Sequence, residues 1–152
     1  MNNYSWLEKR LHQLALSSKF MREVTFDFEN SSLSNFNDDI NHVFIAGQAR
    51  SGTTILLNSI YQSNIFASLT YKDMPFILAP NFWARITSQK RNEVLGERAH
   101  GDNIKYSSES PEAFEEVFWK TFSDNEYESR EKFKIYVSNI INKYKKFRYL
   151  SK

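Results

Sequence analysis

His42-Val43-Phe44-Ile45-Ala46-Gly47-Gln48-Ala49-Arg50-Ser51-Gly52-Thr53-Thr54 is the passage on which the fold turns. It opens on a short, continuous apolar run that Gly47 ends, the pattern of a strand buried on both faces in a parallel sheet. Beyond the glycine-bounded loop, Ile55, Leu56, Ile60 and Tyr61 recur along a helix. The order is strand, tight loop, helix, and an α/β fold is the expectation. Such a unit sets backbone N–H groups at the positive end of a helix dipole, where a phosphate group is readily held.

Gly47 and Gly52 stand five apart, as in the nucleotide-binding pattern G-x-x-x-x-G-K-[ST]. The pattern then breaks, because Thr53 occupies the lysine position and the usual cation for the β- and γ-phosphates is missing. Arg50 supplies positive charge from within the loop instead. The plainer reading of the same residues is an ordinary turn from strand to helix with a threonine cap.

At Arg50-Ser51-Gly52-Thr53-Thr54 the chain resembles the sulfotransferases that use 3′-phosphoadenosine 5′-phosphosulfate (PAPS). Their 5′-phosphosulfate loop commonly reads basic residue, Ser or Gly, Gly, Thr, and often a second Thr, after a hydrophobic strand. Three further stretches look like bacterial members of that superfamily: Trp6 to Ala15, Tyr71 to Asn81 and Glu97 to Asp102. The resemblance implies a P-loop-like sulfotransferase fold, with Gln48, Ala49, Arg50, Ser51, Gly52, Thr53 and Thr54 as the cofactor-binding loop.

It also implies the chemistry, transfer of a sulfuryl group from PAPS to a hydroxyl or amine acceptor, with 3′,5′-ADP as the leaving product. Arg50 would stabilise that leaving group as negative charge develops on it. No metal belongs to this scheme, which has no γ-phosphate to bridge. An acceptor hydroxyl must give up its proton, and His100, between Arg98 and Asp102, and Glu97 are the catalytic-base candidates. A solvated loop accounts for both equally simply. His12 and His42 read as structural, and Lys72 and Asp73 as either an acceptor pocket or the edge of the core. The acceptor implied is a carbohydrate, with a small alcohol or phenol as the rival. The family's arginine and serine for the 3′-phosphate have no match in the chain, and the C-terminal basic cluster does not replace them on sequence grounds.

Outward from the loop, Trp6, Leu7, Leu11, Leu14 and Ala15 repeat at helical spacing, and the polar residues from Glu29 to Asn41 read as a loop. Pro75 and Pro80 divide Tyr71 to Arg85 into short helical pieces. Ser110-Pro111-Glu112 reads as the start of a helix carrying Phe114, Val117, Phe118 and Phe122. A final helix spans Phe133 to Tyr144. Only one strand stands out, so the expectation is a single domain over residues 1–152 whose remaining strands lie beyond Lys152, in a longer natural chain.

Composition is compatible with this reading. The 152 residues are 41% hydrophobic and 16% aromatic, enough to fill a globular core. A net charge of +2 is too small to point to nucleic acid. From Arg130 to Lys152 eight basic residues accompany only Glu131, a run read first as a solvated helix face. The chain has no cysteine, which excludes disulfides and thiolate chemistry and suits the cytoplasm. No stretch approaches a membrane span of roughly 20 apolar residues. Two other classes stay open: a P-loop nucleotide kinase or NTPase, and a non-catalytic helical interaction module.

Overall fold

The computed structural model describes residues 18–30, 41–87, 96–97 and 105–152, with residues 96, 97, 105 and 106 described through their backbone. The amphipathic stretch Trp6 to Ala15 lies outside these residues. In chain order the elements are α1 (Lys19–Asn30), β1 (Val43–Phe44), α2 (Thr53–Tyr61), β2 (Phe66–Ala67), a 3-10 turn (Tyr71–Asp73), α3 (Pro80–Ile86), β3 (Gly96–Glu97), β4 (Lys105–Tyr106), α4 (Glu115–Phe122), α5 (Glu126–Tyr144) and β5 (Arg148–Ser151).

Three strands form a parallel sheet of order β1-β5-β2, and β3 pairs with β4 in a separate antiparallel hairpin. On one side β5 sets Leu150 against Val43 and Ser151 against Phe44; on the other it sets Arg148 against Phe66 and Tyr149 against Ala67. The connection from β1 through α2 to β2 therefore skips a strand position, and β5 fills it. β5, in the basic stretch at the end of the chain, thus supplies a parallel partner to both β1 and β2.

Side chains of a strand point alternately to its two faces. Ala67, Leu69 and Tyr149 join one core with Phe26 of α1, Phe118 and Phe122 of α4, and Tyr136, Val137 and Ile140 of α5. Phe66 and Leu150 join the other, with Leu57 of α2 and the partly buried Val43, Ile45 and Ile60. The described protein is thus α/β, with helices on both faces of a small parallel sheet.

β1 departs from the expectation of a strand buried on both faces. Phe44 is 56% exposed, and Val43 and Ile45 are half-buried. Among the described strands β1 pairs on one side only, and α2 packs over β5 and β2 rather than over β1. The buried position of α2 is also shifted: Leu57 is fully buried, while Ile55 and Leu56 face outward.

The helix expected to start at Ser110-Pro111 starts four residues later, at Glu115. Ser110 to Glu112 instead run along the end of β2. Pro111 bridges Thr70, the N–H of Glu112 donates to the carbonyl of Leu69 at 3.1 Å, and the Ser110 hydroxyl accepts from the N–H of Ser107. Pairing with a neighbouring strand end has displaced the local capping signal. α5 starts ahead of its apolar stripe, because the Asn125 side chain accepts from the N–H of Glu128 and caps the helix.

Most of the basic run is neutralised. Arg130, Lys132 and Lys134 pair with Glu126, Glu128 and Glu131 along α5. Lys143 pairs with Asp73, and Arg148 donates to the carbonyl of Asn41. α3 lacks a side-chain cap of its own, and the buried Glu29 of α1 provides one, accepting from the backbone N–H groups of Asn81 and Phe82, both at 2.9 Å. No described helix is long and apolar enough to cross a membrane.

Candidate functional site

Gly47 to Gly52 connect β1 to α2 at the carboxyl end of the sheet, where open α/β folds place their ligands. All six residues are exposed. The N–H of Ser51 closes a turn on the carbonyl of Gln48, and Arg50 and Gly52 both take left-handed backbone conformations, with φ of 63° and 85°. For Gly52 that conformation is free of a Cβ penalty. For Arg50 it costs about 1–3 kcal/mol, strain of the kind that accumulates at ligand-binding turns.

Gly47 is required by proximity. A Cβ at this position would lie 2.7 Å from both the Ser51 hydroxyl oxygen and the Thr53 Cγ2 methyl. Thr53 is β-branched and sits in the first turn of α2, so its methyl has few rotamers to move into. Gly47→Ala is expected to destabilise the protein by about 1–3 kcal/mol, the usual range for overpacking, in a urea unfolding titration. A loss within about 0.5 kcal/mol, ordinary for a surface substitution, would show that the loop does not need its close approach.

α2 starts at Thr53, and its first backbone bond runs from the N–H of Leu56 to the carbonyl of Gly52. The N–H groups of Thr53, Thr54 and Ile55 precede that bond and point out of the helix end. The first turn carries no acidic residue, so nothing within the helix offsets the positive end of its dipole.

A cation reaches this helix end from the residue that follows β5. The N–H of Ile45 donates to the carbonyl of Ser151 at 2.8 Å, which carries the parallel register of β1 and β5 to the end of the sheet. Lys152, the next residue, therefore stands beside the loop. Its ammonium donates to the Thr54 Oγ1 at 2.7 Å and to the Glu112 Oε1 at 2.7 Å, and its side chain is only 19% exposed. Glu112 in turn accepts from the Tyr71 hydroxyl at 3.1 Å. Sequence reasoning missed both Lys152 and Glu112. The available signal was the pair Tyr149-Leu150, too short to mark a strand unaided.

The structure brings Gln48, Ala49, Arg50, Ser51, Gly52, Thr53 and Thr54 together in one loop and helix start. Glu97 is placed by its backbone in β3, in the hairpin separate from the parallel sheet. His100 lies outside the described residues. His42 precedes β1, away from the loop, where its Nδ1 accepts from the N–H of Tyr149; burial, then the charge of Arg148, lowers its pKa. Asp73 is fully buried. Trp83 is a packing residue whose indole N–H donates to the carbonyl of Lys72. A polar cleft bounded by Phe28, Glu29, Asn81, Arg85 and Asn142 involves α1, α3 and α5, and no loop residue lines it.

Comparison with protein-family models, with curated proteins and with solved structures produced no match to this chain.

Proposed function

We propose that the protein is a PAPS-dependent sulfotransferase of P-loop-like fold and that residues 48–54 bind the 5′-phosphosulfate end of the donor. One observation carries the reading: the exposed turn of Arg50 to Gly52 and the ammonium of Lys152 converge on the N-terminus of α2, where the ammonium is 2.7 Å from the Thr54 hydroxyl. This donor set suits a phosphosulfate. It offers backbone amides, threonine hydroxyls and two cationic residues, and Lys152, which follows β5, stands in for the cation absent at Thr53.

PAPS, when bound, supplies the sulfuryl group and a leaving 3′,5′-ADP. The residues of this chain act on charge. The α2 amides and the Thr53 and Thr54 hydroxyls would hold the 5′-phosphate, and Arg50 and Lys152 would supply positive charge against the negative charge that develops on the leaving group. The acceptor class proposed is a hydroxyl, on a carbohydrate or a small alcohol, whose proton leaves to a base.

Thermal unfolding with and without 3′,5′-ADP tests the reading. At about one hundred times its Kd the ligand is expected to stabilise the wild-type protein by about 2.7 kcal/mol, and Arg50→Ala to abolish that protection. Equal protection of the variant would remove Arg50 from the site. Protection by Mg-ATP with none by 3′,5′-ADP would replace the proposal with a P-loop kinase or NTPase.

A further inference from the structure

Resting on the sulfotransferase reading, we infer that Glu112 makes the site selective for a donor ending in a singly charged sulfuryl group over one ending in a doubly charged phosphoryl group. Thr54 Oγ1, Lys152 Nζ and Glu112 Oε1 form a continuous chain with two 2.7 Å links. An anion seated on the α2 N-terminus that extends along the ammonium therefore meets a carboxylate next. That carboxylate is largely buried, its side chain 12% exposed. It is held from three sides, by Lys152, by the Tyr71 hydroxyl and by the N–H of Ala113. It cannot swing away without abandoning those donors.

A carboxylate beside an anion site opposes binding in proportion to the ligand's charge, and partial burial weakens the screening that water would provide. A sulfate ester carries one negative charge at neutral pH. A terminal phosphate carries between about 1.5 and 2. The two groups have the same shape, so hydrogen-bond geometry cannot separate them, whereas a fixed negative charge penalises the phosphate more. Lys152 attracts both, and the specificity resides in the repulsive partner. Glu115, the first residue of α4, also feels the Lys152 charge; burial pushes its carboxyl up in pKa, partly offset by bonds from Ser151 and Tyr149 and by that charge.

The probe pair is PAPS and its isostere 3′-phosphoadenosine 5′-diphosphate, with 3′,5′-ADP, which lacks the terminal group, as reference. Calorimetric titration of the wild-type protein is expected to show PAPS bound about tenfold or more tighter than the isostere. Glu112→Gln, which keeps the side-chain shape, should bring the two affinities within about threefold by tightening the isostere, and Glu112→Asp should retain the preference. Retained binding of 3′,5′-ADP by both variants reports that the loop is intact. Equal wild-type affinity for PAPS and the isostere overturns the inference without any variant, as does an undiminished preference in Glu112→Gln. A wild-type protein that binds none of the three ligands removes the sulfotransferase reading itself, and the inference with it.

Discussion

Asp73→Ala is expected to lower the unfolding free energy by about 3–5 kcal/mol, because it leaves the Lys143 ammonium buried without its counter-charge. Asp73 is fully buried and the Lys143 side chain is 10% exposed. The carboxylate also accepts from the Thr70 N–H at 2.7 Å and from the Tyr144 hydroxyl at 2.7 Å. Burial first, and then the charge of Asp73, raises the Tyr144 pKa, so its hydroxyl stays protonated and keeps donating. At this chain length each kcal/mol moves the melting temperature by about 2–4 °C, which puts the effect well within reach of calorimetry or urea unfolding. The double variant Asp73→Ala/Lys143→Met removes both charges and should recover part of the loss. A single-variant loss below about 1 kcal/mol would mean that Lys143 finds water or another partner.

The consequence reaches the candidate site. Asp73 fastens the 3-10 turn to Thr70, and the same segment pairs with the stretch that carries Glu112: Thr70 bridges Pro111, and the N–H of Lys72 donates to the carbonyl of Ser108 at 2.9 Å. Loss of the buried pair should therefore loosen the position of Glu112 beside Lys152 as well as the core.

What the sequence disclosed and what it withheld divide along the range of the interactions. The unit from β1 to α2 was legible because a strand, a glycine-bounded loop and a helix start are signalled within about twenty contiguous residues by periodicity and turn chemistry. The apolar stripes of α4 and α5 were legible for the same reason. β5 was not, since two apolar residues between Arg148 and Ser151 carry no period, and their strand conformation comes from pairing with β1 and β2, each more than 80 positions away in sequence. Lys152 was hidden with it, as one more charge in a basic run. Ser110-Pro111-Glu112 has every local mark of a helix start, and the edge of β2 overrode it. The burial of β1 was misjudged because hydrophobicity reports what a strand can bury, whereas its place in the strand order decides what covers it.

Phe118→Ala should cost a further independent amount, about 3–5 kcal/mol, the range for truncating a fully buried aromatic side chain. Phe118 of α4 is 0% exposed and sits at the junction of three helices. Its ring stacks on Tyr136 of α5 with centroids 5.0 Å apart, lies 5.2 Å from Phe133 and 6.0 Å from Phe26 of α1, and touches Phe122 in its own helix. Four large, stiff rings cannot collapse into the space a benzyl group leaves, so the loss should fall at the upper part of that range rather than the lower. Phe118→Leu, which retains much of the volume, should lose markedly less in the same urea titration. An alanine variant within about 1 kcal/mol of wild type would show that this aromatic cluster relaxes freely. The outcome bears on binding too, because α5 leads directly into β5 and so to Lys152. If the cluster holds α5 against the sheet, Phe118→Ala should weaken 3′,5′-ADP protection although no atom of Phe118 belongs to the loop.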